Sequence, residues 1–163
     1  MRSLFLPLLA GAALAGCATA NAQPARSAPV LGHWMVAISV ADLDAETAFF
    51  KKLGFKVELD TKFGPGIPVR WLTSGNERIE LLQIANSKPP ATPRAKPPAH
   101  AAVQGLSQVT LSTSNIEATK AALAAQGLTP ALDITEVAPL GVKVMYYQDP
   151  EGNAIEIAQK LNG

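Results

Sequence analysis

Apolar and polar positions alternate along "VAISV", Val36 to Val40, and the spacing then lengthens over "DLDAETAFFKKLGF", Asp42 to Phe55. The first pattern predicts a strand and the second a helix. Successive strand side chains point to opposite faces, whereas a helix returns to the same face about every 3.6 residues. Asp42 is a good N-cap, and Phe49, Phe50 and Leu53 form an apolar stripe. Gly54 stands where a helix C-terminus favours a left-handed residue. Strands follow near 55–61, 68–73 and 77–84.

The same pattern returns later in the chain. A shift of 73 residues lays Val36 to Asp60 over "VTLSTSNIEATKAALAAQGLTPALD", Val109 to Asp133. Val36, Ser39, Ala45, Ala48, Gly54, Leu59 and Asp60 then meet identical residues, and Asp42 meets Asn115, another N-cap. Ala118, Ala121, Ala122 and Ala125 predict a small-residue stripe on the second helix. A shift of 76 lays "RIELLQ", Arg78 to Gln83, over "AIEIAQ", Ala154 to Gln159, and Trp71 over Tyr147. Strands are expected near 128–136, 141–148 and 153–159, with "DPEGN", Asp149 to Asn153, as a turn. The order is β-α-β-β-β, twice, an α+β chain of two tandem modules, 33–85 and 106–160. A proline-rich linker, 86–105, joins them.

The start of the chain follows another pattern. Arg2 precedes an apolar run, Leu4 to Leu14, too short to span a bilayer and suited to a signal peptide over residues 1–22. "LAGC", Leu14 to Cys17, resembles the lipobox of bacterial lipoproteins, with Cys17 as the lipidated residue; a rival cleavage site is "ANA", Ala20 to Ala22. With Ala18 after the cysteine, the resemblance implies periplasmic export and an outer-membrane lipid anchor, residues 18–31 serving as a flexible tether. Cys17 is the one cysteine, so the expected mature domain, 32–163, has no disulfide and no thiolate chemistry.

Fourteen basic residues against thirteen acidic give no charge asymmetry, and nucleic acid is not an expected partner. No glycine-rich phosphate loop, G-x-S-x-G elbow or histidine pair at helical metal spacing is present. Candidate chemistry rests on Glu80 and Glu156, each set between apolar strand neighbours, so each points away from the face those neighbours occupy. Two such carboxylates on solvent-poor faces need a cation or a proton, unless both faces are exposed.

The motifs "VAISVADLDAETAFFKKLGF" and "YYQDPEGNAIEIAQ" resemble the two signature stretches of the vicinal oxygen chelate superfamily, which includes glyoxalases, bleomycin-resistance proteins and extradiol dioxygenases. The resemblance covers about residues 33–160 and implies two curved mixed sheets around a central cavity. It places the four metal-ligand positions at Met35, Glu80, Gln108 and Glu156, with Glu156 also the candidate proton-transfer base. A thioether at Met35 is a departure, since it suits soft ions and serves hard cations poorly. His33 is a possible substitute, although two strand residues put it about 6.6 Å away. Met35, Trp71 and Tyr147 are candidate cavity residues, and His100 in the linker a candidate substrate contact. The resemblance leaves alternatives open. One is a metal-dependent lyase or isomerase holding one divalent ion, Zn, Ni, Mn or Fe. The others are a metal-free binder of a small molecule or antibiotic, and an envelope scaffold. It also implies a homodimer.

Overall fold

The computed structural model describes residues 32–90 and 94–161. The expected signal peptide, Cys17 and the tether lie outside the described residues. The compact unit that begins at His33 holds ten regular elements. The first module is β1 (Val36–Ser39), α1 (Leu43–Lys52), β2 (Lys56–Phe63), β3 (Ile67–Ser74) and β4 (Glu77–Leu82). The second is β5 (Gln108–Ser112), α2 (Ile116–Ala125), β6 (Leu132–Val137), β7 (Val142–Gln148) and β8 (Ala154–Lys160). Each module is a four-stranded mixed sheet, ordered β1-β4-β3-β2 and β5-β8-β7-β6, with one parallel pair in each, β1 on β4 and β5 on β8.

Capping works as the residue types dictate. Asp42 accepts from the backbone N–H groups of Asp44 and Ala45 at 3.0 Å, and Asn115 from that of Ala118 at 2.9 Å. Gly54 and Gly127 close the helices at φ +91° and +77°, where a Cβ would strain the backbone. The face of α2 departs from expectation. Ala118, Ala121, Ala122 and Ala125 are exposed, and the buried residues are Ile116 and Leu123. The large side chains win the core because they bury more apolar area; the alanines supply helix propensity on the solvent side. The strand expected from 128 begins only at Leu132, after Pro130.

One hydrophobic core serves both modules. Phe50 lies at its centre, fully buried and edge-on to Phe49 and Phe55 at 5.3 and 5.6 Å between ring centroids. Ile79 and Leu81 of β4, and Ile155 and Ile157 of β8, enter the same cluster.

A polar joint also ties the modules. Glu46 of α1 is fully buried, and its Oε1 accepts from the backbone N–H of Glu151 in the β7–β8 turn at 3.2 Å. The Glu151 carboxylate in turn accepts from the backbone N–H of Ala41. Asp149, 4% exposed, uses its oxygens inside the turn, on the N–H groups of Glu151 and Asn153 and the Asn153 amide. Glu46 Oε2 has no partner. Burial, and then the nearby Asp149 charge, push the Glu46 carboxyl up to about 8, and burial also raises Asp149.

The native protein therefore holds a proton at neutral pH that the unfolded chain releases. Stability should fall as pH rises from about 4.5 towards 8 and flatten above. In Glu46→Gln that slope should largely disappear. Chemical denaturation at pH 8 should find the variant more stable by roughly 1–3 kcal/mol, with the gap closing near pH 4. A variant less stable at both pH values would count against a neutral Glu46.

Candidate functional site

Alternation along β4 and β8 decides which side chains leave the core. Ile79 and Leu81 face α1, so Glu80 faces the other way; Glu156 is set in the same manner between Ile155 and Ile157. Neighbouring strands then supply each glutamate's surroundings by register. Trp71 pairs across from Glu80 and Tyr146 across from Glu156. Ala37 and Thr110 are the equivalent partners on the parallel strands.

Glu156 is held by three neutral donors. Tyr146 Oη donates to Oε1 at 2.6 Å, while Thr110 Oγ1 and Gln108 Nε2 donate to Oε2 at 2.6 and 2.7 Å. Burial, and then the bond to Glu156, push the Tyr146 phenol up to about 12, so it stays a neutral donor. The network continues one residue further, to His100 Nε2, 2.8 Å from Gln108 Oε1. A carboxylate only accepts, so the Gln108 amino group points to Glu156 and its carbonyl oxygen points to His100. His100 must then carry a hydrogen on Nε2, and its buried Nδ1 has no partner among the described residues. The ring also packs against Tyr146, 5.3 Å between centroids.

The first module builds an analogous but barer station. Trp71 Nε1 donates to Glu80 Oε2 at 2.7 Å. Trp34 meets Trp71 edge-on at 5.6 Å and is 60% exposed. The Arg78 guanidinium lies over both indoles, at 5.6 and 5.3 Å, and makes a two-pronged bond to Glu58 at 2.8 Å for each prong. Among the described residues neither Glu80 nor Glu156 forms an ion pair.

The other candidates fall as follows. Met35 stands one strand step before β1 and is half-buried; His33 is exposed. Tyr147 is corrected. It is 1% exposed inside the core, its hydroxyl touching only Met145 Sδ at 3.8 Å. The 76-residue shift aligned it with Trp71, but the true register makes Tyr146 the counterpart of Trp71. A one-residue slip reverses the face, which is why the adjacent tyrosine was missed. Gln108 also lines a cleft of about 200 Å³ where β1 and β5 approach, together with Arg94, Leu106 and Asn153.

The donor set is a poor match for a hard divalent cation as it stands: the Gln108 carbonyl oxygen is engaged by His100, and Met35 offers only sulfur. Among the described residues no three His, Asp or Glu side chains converge as a metal cluster.

Comparison with known proteins agrees with the architecture. The solved structure of a glyoxalase family protein from Enterococcus faecalis is 22% identical, covers 78% of this chain and 97% of its own, and superposes with a TM-score of 0.64. One from Bacillus cereus is 20% identical with a TM-score of 0.65, covering 84% of this chain and 99% of its own. A glyoxylase/bleomycin resistance protein/dioxygenase domain from Frankia sp. EAN1pec reaches 0.66 at 16% identity, over 83% and 96% of the two chains. At these identities the likeness carries the fold alone. No curated protein matches the chain. The family model matches residues 31–157, and on that ground the chain belongs to the Glyoxalase/Bleomycin resistance protein/Dioxygenase superfamily.

Proposed function

We propose that the protein binds a small organic cation on its sheet faces without using a divalent metal, Glu80 and Glu156 acting as anionic anchors. The observation that carries this reading is the hydrogen bonding of Glu156. Three neutral donors orient the carboxylate and leave its charge unneutralised by any ion pair among the described residues. A charge so held favours a ligand with positive charge or several N–H groups. Trp34 and Trp71 beside Glu80, and Tyr146 beside Glu156, add flat faces suited to a cation or a ring. A metal-dependent lyase or isomerase would need Gln108 to turn its carbonyl oxygen away from His100. We also infer export and lipidation at Cys17, supported by the run Leu4 to Leu14 and the "LAGC" that ends it.

Metal analysis of the purified domain should find no stoichiometric Zn, Ni, Mn or Fe, and adding these ions should leave the melting temperature unchanged. Stoichiometric metal lost in both Glu80→Gln and Glu156→Gln would overturn the reading. In a thermal-shift screen, amine, guanidinium and heteroaromatic cations should give the hits, and Glu156→Gln should weaken them about tenfold or more. Tyr146→Phe removes a bond to a charged acceptor and should cost roughly 1–3 kcal/mol of binding or stability. Tyr147→Phe, with only a long sulfur contact at stake, should change either by less than about 1 kcal/mol. In cells, Cys17→Ser should move the protein from the membrane fraction to the soluble one; unchanged fractionation would count against lipidation.

A further inference from the structure

The linker is exposed nearly throughout its described length, with three exceptions, of which Arg94 is half-buried. Pro97 is buried, and His100, in the 3-10 turn Ala99–Ala102, is 3% exposed. On either side of them Ala95, Lys96, Pro98 and Ala99, and then residues 101–106, are exposed. The segment's other hydrogen bond onto the module is a long one, Arg94 to the Ser107 carbonyl at 3.4 Å. The imidazole is thus the one side chain of the strap that is both buried and hydrogen-bonded onto the Glu156 network, beside the buried Pro97 and the half-buried Arg94. It sits on two of the three groups that hold Glu156, against the Tyr146 ring and bonded to the Gln108 carbonyl oxygen. Among the described residues the equivalent station on the first module has no such plug, and Trp34 there is exposed.

The geometry points to residues 94–105 as a strap that closes the Glu156 face, with His100 as its plug, and to a planar nitrogen heterocycle bearing a ring N–H as the ligand that displaces it. The claim rests on the binding reading above and adds the ligand's shape and the route of entry. The incoming ring takes over what the imidazole does now. It gives an N–H to Gln108 Oε1 and a flat face to Tyr146, and it lies where Glu156 favours positive charge. The closed strap carries a cost, because it buries His100 Nδ1 without a partner among the described residues. Opening returns that nitrogen to water, and the hydrogen bonds that must break are His100 to Gln108 and the long one of Arg94.

The test uses the full chain with His100→Gly and free imidazole as the probe, near pH 8 where the probe is largely neutral. Imidazole should raise the melting temperature of His100→Gly saturably, at least tenfold more effectively than that of the wild type. 1-Methylimidazole, which has no N–H, should fail, and so should imidazole on His100→Gly/Gln108→Leu. Equal responses of variant and wild type, or equal responses to the two imidazoles, would overturn the proposal. A second measurement covers the case of a poorly folded variant. In the wild type, backbone amides of residues 101–104 should exchange with solvent at least tenfold faster than those of β8; exchange at the same rate would show no separate opening and overturn the strap. If imidazole fills the vacated slot but no cation binds the wild type, the strap stands and the binding function falls; cation binding without imidazole rescue gives the reverse.

Discussion

Alternation along two strands organises everything else in this molecule. On β4 and β8 every second side chain is committed to a core that both modules share, with Ile79, Leu81, Ile155 and Ile157 on the helix side. The residue between each pair has to face away, and in both modules that residue is a glutamate. Neither carboxylate could be turned inward without placing an unpaired charge in the core, which is costly. The positions of the anionic groups follow from hydrophobic packing on the opposite side of the sheets. The tryptophan, tyrosine, threonine and glutamine around them follow from strand register.

The two copies differ on their polar sheet faces while β4 and β8 keep the same apolar alternation. Glu156 is wrapped by donors, two of which are contacted by the linker histidine. Glu80 has one indole N–H, and its aromatic neighbours are shared with Arg78. Duplication supplied the frame twice, and substitution at a few outward positions made the two faces chemically unequal. The buried joint at Glu46 has a different character. It sits where the modules meet, so its protonation bears on the stability of the pair rather than on either face.

Much of this was legible in the sequence, because it depends on periodicity. The element order, both N-caps, the glycines after the helices and the outward direction of the two glutamates all follow from local rules that the fold obeys. What escaped depended on register or on distance along the chain. Tyr146 and Tyr147 are neighbours, and only the pairing of β7 with β8 decides which one meets Glu156. The alanines of α2 formed a tidy stripe, yet Ile116 and Leu123 defined the buried face because they had more surface to hide. His100 stood in a proline-rich linker, and nothing in that stretch signals that one ring is taken into the second module. Glu46 lies within a helix pattern that reads as ordinary amphipathic sequence, and its burial arises only when the distant turn at Glu151 closes over it.

The asymmetry between the faces extends to their chromophores. Both tryptophans of the chain, Trp34 and Trp71, belong to the first module and touch each other; both tyrosines, Tyr146 and Tyr147, are adjacent in the second. Light absorbed at the red edge of the protein band excites only the indoles, so intrinsic emission reports on the Glu80 side alone. Tyrosine difference absorption reports on the second module, through Tyr146 beside Glu156 and Tyr147 in the core. A duplicated fold would ordinarily blur the signals of its halves, but here each half carries its own optical label without any engineering.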